Sequence, residues 1–206
     1  MRQAILDNLF PNLFTMLLAF IALGLIVIIL TYLAHKTERA REVLNGEKKR
    51  MVPLVSTSVI LGIGIGGFID GIALHQILQW HEMLSNKLPP VNLVAKSVNM
   101  FWDGIFHAFS LLVTIIGIFS LFDLFSRSDV IVSKKIFIGG LILGWGLFNI
   151  VEGVIDHHLL KLHNVREISN YSDAWNYGFL AVSVLMVIAS LGVISKDVKW
   201  NKAKLR

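Results

Sequence analysis

The sequence predicts an all-α protein, a polytopic transmembrane helical bundle with five spans, its N-terminus outside and its C-terminus cytoplasmic. Three observations carry this. Hydrophobic residues fill 55% of the 206 positions and charged residues only 16%, whereas a soluble domain carries about a quarter charged. Five apolar runs reach the ~20 residues that cross a bilayer core. Lys and Arg alternate between successive connectors, as the positive-inside rule requires.

The spans follow in order. Helix one covers 13–33 without a charge. No small-residue cleavage site follows this run, so it reads as a retained helix and not a signal peptide. The connector after it carries Lys36, Arg39, Arg41, Lys48, Lys49 and Arg50. Helix two, 53–80, opens on Pro53, tolerated in a first turn where the missing N–H has no partner to lose. At about 1.5 Å per residue it outruns the hydrocarbon layer. Leu88-Pro89-Pro90 breaks the next connector; helix three is 100–125, helix four 136–160 and helix five 175–194. The 35–51 and 126–135 connectors and the C-terminal tail hold fourteen Lys and Arg, the opposite side five. That bias sets the orientation, and the 206 residues read as one membrane domain.

Six of the seven histidines fall at matching ends of three spans. Helix two, running outward, ends with Asp70, His75, Gln79 and His81. Helix three, running inward, begins with Asp103 and His107. Helix four, outward again, ends with Asn149, Glu152, Asp156, His157 and His158, with His163 just beyond. All converge on the outer half of the bundle. Charges at lipid depth cost several kcal/mol unless paired, wet or metal-bound, so this level is built around a polar site.

At about 100° per residue, Asp103 with His107 and Glu152 with Asp156 each stack on one helix face, and His75 pairs with Gln79. His75 sits roughly 140° round from Asp70, and His157 about 100° from Asp156. Glycines in helices two and four, as in Gly67–Gly71 and Gly140–Gly144, permit close helix approach in lipid.

Imidazoles and carboxylates from facing helices suit a transition metal: zinc or iron, less readily copper. The expected ligands are His75, His107, His157, Asp103 and Glu152. Asp70 and Asp156 are the candidate catalytic base or proton carriers. Gln79, His81, Asn149, His158 and His163 would orient ligands or line the entrance. A haem between opposed histidines is the alternative cofactor, and a hydrogen-bonded structural network the alternative to any cofactor. Either a metal-dependent hydrolase or oxidoreductase, or a metal-delivering assembly module, would use such a site; the residues leave open whether the protein is an enzyme.

Several classes are excluded or disfavoured. No cysteine is present, which removes thiolate ligands and thiol catalysis. Basic patches with interleaved aromatics, the mark of nucleic-acid binding, are missing, as is a serine-nucleophile motif. Transport fares poorly, because no polar path continues below Asp70 and no discontinuous repeats are read.

The strings Leu74-His-Gln-Ile-Leu-Gln-Trp-His81, Phe101-Trp-Asp-Gly-Ile-Phe-His107 and Asp156-His-His-Leu-Leu160 resemble the uncharacterised bacterial membrane-protein family called domain of unknown function 2243. The likeness covers nearly the whole chain from about residue 55. It implies a bacterial inner-membrane location, and it implies partners among the membrane proteins that assemble haem–copper respiratory oxidases. It assigns no catalytic residue. A homodimer is the other partner to be tested.

Overall fold

The computed structural model describes residues 2–39, 51–127, 130–167 and 169–204. Five helices are long and apolar enough to cross a membrane: α1 (Arg2–Arg39), α2 (Val52–Ile69), α3 (Leu93–Phe125), α4 (Lys134–Glu152) and α5 (Ser172–Lys204). Arg41, Lys48, Lys49, Arg50 and Arg206, counted above for orientation, lie outside the described residues.

Three boundaries differ from expectation for local reasons. Helix α3 begins a turn and more before Met100, because the Asn92 side chain accepts from the Ala95 N–H at 3.0 Å and caps the helix. Helices α2 and α4 do not continue as α-helices to their ends. Each runs into a π-helical segment, Asp70–Ile77 after α2 and Gly153–Leu159 after α4. Both segments stop at a residue with positive φ, Gln79 at 49° and Lys161 at 50°, the left-handed turn that ends many helices.

The centre of the bundle is the α2–α4 contact, and 72% of the α2 span is buried against 17–22% for α1, α3 and α5. A Cβ on Gly62 would strike the Leu141 carbonyl and the Gly144 Cα; a Cβ on Gly144 would strike the Val59 carbonyl and the Gly62 Cα. Backbones meet there because neither residue has a side chain. Gly64 seats Ser110 and Thr114 of α3, and Gly146 seats Ser183 and Val187 of α5. Helix α1 packs on α2 and α3, with Met16, Leu23 and Val27 buried in the common core.

These contacts are reciprocal, and that corrects the expectation of no discontinuous repeat. Val59, Gly62, Gly64, Asp70, Gly71, His75, Gln79 and His81 correspond to Leu141, Gly144, Gly146, Glu152, Gly153, His157, Lys161 and His163, always 82 positions on. Leu78 and Trp80 N–H donate to Ala73 and Leu74 carbonyls; the counterparts Leu160 and Leu162 donate to Ile155 and Asp156. Two helix–π–loop–helix units, α2 with α3 and α4 with α5, thus face each other as a local two-fold pair. The pattern carboxylate-Gly-x-x-x-His-x-x-x-x-x-His occurs in both, and it was the sequence signal for the repeat.

Candidate metal centre

The π segments decide which side chains meet. In an i→i+5 helix, residues five apart come onto one face, so the α-helical reckoning that set His75 well round from Asp70 does not apply. His75 Nε2 lies 3.1 Å from Asp70 Oδ2. The counterpart pair, His157 Nε2 and Glu152 Oε1, lies at 3.9 Å. The same register carries His158, whose Nδ1 donates to the Gly153 carbonyl at 2.6 Å.

Beyond each π segment the chain turns inward and delivers a second histidine. His81 Nδ1 donates to the Val165 carbonyl at 2.9 Å, and His163 Nδ1 donates to the Met83 carbonyl at 3.1 Å. Each loop therefore fixes the other's imidazole. Since backbone carbonyls only accept, each Nδ1 carries the proton and each Nε2 presents a lone pair to the interior. Burial, and then the charge of His75, hold the pKa of both rings down, that of His163 at about 4. Both are neutral imidazoles near pH 7, as metal ligation requires.

One ligand atom from each of His75, His81, Glu152 and His163 lies within 4.8 Å of the others. All four residues are buried. Their Nε2 atoms, Glu152 Oε2 and both Asp70 oxygens have no hydrogen-bond partner. A single buried orphan costs about 1–3 kcal/mol, and here several converge on one spot. His75 adds a sharper case. Its Nδ1 donates to Asp103 Oδ1 at 2.9 Å and its Nε2 faces Asp70 Oδ2 at 3.1 Å, so two carboxylates flank one imidazole. Negative charge gathers here, and a bound cation would offset it. No Lys or Arg among the described residues pairs with Asp70, Asp103, Glu152 or Asp156. The donor set fits a metal ion.

Residues 57–197 match the model of a family described as "Predicted membrane protein (DUF2243)". The chain belongs to this family. The matched stretch includes most of both repeat units and every residue of the centre. No curated protein and no solved structure gives a match. Membership and the five apolar helices make this DUF2243 protein a multi-pass membrane protein, consistent with a bacterial inner membrane.

The other expected residues divide between the centre and its surroundings. Asp103 is present as the acceptor for His75 and for the Met83 N–H at 3.0 Å. Asp156 is buried with Oδ1 unpartnered, close enough to Asp70 for their charges to interact. Asn149 is buried one turn below Glu152, its Oδ1 also unpartnered. His157 is buried, its ring 4.8 Å from that of His163. His107 is not brought to the group. Its Nδ1 donates back to the Asp103 carbonyl at 2.7 Å, and its Nε2 packs against Gly71. Its helical stacking with Asp103 is as expected, but only Asp103 reaches inward. Gln79, set in the left-handed turn, is exposed and does not pair with His75. His158 is half-buried against Tyr177, with ring centroids 5.0 Å apart. His81 and His163, read in sequence as entrance residues, are core members of the DUF2243 centre.

A polar cleft of about 510 Å³ borders the centre, lined by His157, His158, Lys161, Asn164, Asn176 and Tyr177 among others. His157 lines the cleft and packs its ring against that of His163, so it stands between the centre and the outside.

Proposed function

We propose that this DUF2243 protein is a membrane metalloenzyme that holds zinc or iron among His75, His81, Glu152 and His163 and acts on a small polar solute entering through the cleft at His157. The convergence of unpartnered, buried Nε2 and carboxylate atoms carries this reading. When bound, zinc would supply a Lewis acid that makes water nucleophilic near neutral pH, and iron a redox centre. The chain's own groups do the rest. Asp103 orients His75, and the Val165 and Met83 carbonyls orient His81 and His163. Asp70, aimed at the ligands, serves better as a ligand than as a base. Asp156 keeps the role of holding and passing a proton. Polar lining in the cleft favours a hydrophilic substrate over a lipid chain.

The Lys and Arg bias supports an N-terminus outside, which puts the centre toward the outer face. A resident metal is favoured over a delivered one, because the ligands are fully buried and Met83, the near thioether, is packed in the core. A haem is disfavoured by the packing of the rings. His75, His81, His157 and His163 stand 4.3–6.3 Å apart by centroid, leaving no slot for a macrocycle.

Elemental analysis and the visible spectrum of the purified protein test the proposal. Stoichiometric zinc or iron is expected, and its loss in His81→Ala and His163→Ala. Folded protein that stays metal-free after metal-replete expression would overturn it, leaving a structural network; a Soret band would replace it with a haem protein.

A further inference from the structure

The four residues that come closest together do not use the two-fold. Applied to His75, His81, Glu152 and His163, the repeat correspondence generates His157, His163, Asp70 and His81. The two groups overlap in His81 and His163, and together they contain six residues, three from each unit.

The overlap is where a single ion fails. His81 and His163 stack with ring centroids 4.5 Å apart and planes 3° from parallel. A metal lies in the plane of the imidazole that binds it. Two stacked parallel planes share no point, so an ion in line with one Nε2 lies off the plane of the other. An ion well placed for one of these rings is therefore poorly placed for the other. The distances assign the second imidazole. His75 is 4.3 Å from His81 by centroid and 5.7 Å from His163; His157 is 4.8 Å from His163 and 6.3 Å from His81. The pairs are therefore His75 with His81 and His157 with His163, one pair from each unit.

Asp70 and Glu152 occupy equivalent places in the repeat: Asp70 Oδ2 lies 3.1 Å from His75 Nε2, and Glu152 Oε1 lies 3.6 Å from His163 Nε2 and 3.9 Å from His157 Nε2. Carboxylates have two oxygens and can bridge. Side-by-side ions in two-metal sites stand about 3.5–4 Å apart, somewhat less than the 4.5 Å between the centroids of the stacked rings.

We infer that the centre is dinuclear: one divalent transition-metal ion on His75 and His81, a second on His157 and His163, with Asp70 and Glu152 bridging them. This rests on the metal-centre reading above and adds its stoichiometry. The donor set is balanced between nitrogen and oxygen, as iron, manganese or zinc would take. The ion on His157 and His163 borders the cleft and is the one a substrate meets first.

The test is titration of metal-stripped, full-length protein in detergent with Co2+ alone, followed by visible absorbance, elemental analysis after gel filtration, and electron paramagnetic resonance. Two Co2+ per chain are expected, with a spin signal in the doubly loaded protein well below twice that of the singly loaded one, because bridged ions couple. His157→Ala should bind one Co2+ with no coupling, and His157→Gln serves if the alanine variant does not fold. One Co2+ per wild-type chain, or two without coupling, would overturn the dinuclear centre and leave the metal reading standing. No bound Co2+ in folded protein would overturn both.

Discussion

The two repeat units present the same carboxylate and two histidines, yet they hold them differently. In the first unit Asp103 Oδ1 accepts from His75 Nδ1 and from the Met83 N–H. The corresponding residue of α5 is Asn176, whose Oδ1 accepts from the Val165 N–H at 2.9 Å. It repeats the backbone contact but not the histidine contact. Its Nδ2 donates to Asn164 Oδ1 at 2.8 Å, and His157 Nδ1 is left without a partner. The first unit is closed and rigid around its imidazole; the second opens to the polar cleft. One carboxylate-to-amide difference separates an imidazole hydrogen-bonded at Nδ1 from one that is not.

The largest effect is expected where the halves do not differ. His81→Ala and His163→Ala each remove an Nε2 that the opposite loop has fixed, and metal affinity should fall more than about 100-fold in both, beyond the 10–100-fold of an outer-shell change. Competition with a chelator measures this. Unequal losses would break the two-fold reading.

The metal-free protein should be acid-sensitive through the same pair. His163, held at about 4 against an ordinary 6.5, is neutral when folded while the unfolded chain takes up a proton below pH 6.5. Stability is therefore full above about pH 6.5 and declines as pH falls toward 4. The loss from His163 alone is about 3 kcal/mol by the usual conversion. Melting temperatures of stripped protein from pH 7.5 to 4 check the sign; a rise on acidification would contradict it.

Exchanging the residues that distinguish the halves should produce opposite shifts. Asp103→Asn keeps an acceptor for Met83 but takes the carboxylate from His75, and should weaken metal binding about 10–100-fold without unfolding the bundle. Asn176→Asp gives His157 a carboxylate and should tighten binding and slow metal exchange. Equal effects from both would show that the difference between the halves has no bearing on the metal.

The smallest effects concern the equivalent glycines that start the π segments. A Cβ on Gly71 would come within 2.7 Å of the His107 ring, itself tied to the Asp103 carbonyl; one on Gly153 would meet the flexible Leu180 side chain at 2.7 Å and the edge of Phe179 at 3.4 Å. Gly71→Ala should cost about 1–3 kcal/mol of stability, and Gly153→Ala less. Thermal unfolding in detergent compares them.

Much of the architecture is readable along the chain. Five apolar runs, the absence of cysteine and the grouping of histidines at matching helix ends follow from composition and position alone, because bilayer thickness and charge cost act on each segment separately. The duplicated carboxylate-Gly…His…His spacing is also written there, though a helical reading at about 100° per residue hides it. Folding together decided the rest. Whether Asp70 and His75 share a face depends on one backbone register, i→i+5 in place of i→i+4, within a helix whose neighbour touches it through Gly62 and Gly144. Whether Asp103 or His107 turns inward depends on Met83, a loop residue twenty positions away. His81 and His163 turn their Nε2 atoms inward only because each borrows a carbonyl from the opposite unit. Local pattern sets which residues reach a given depth; contacts between distant segments set where their lone pairs point.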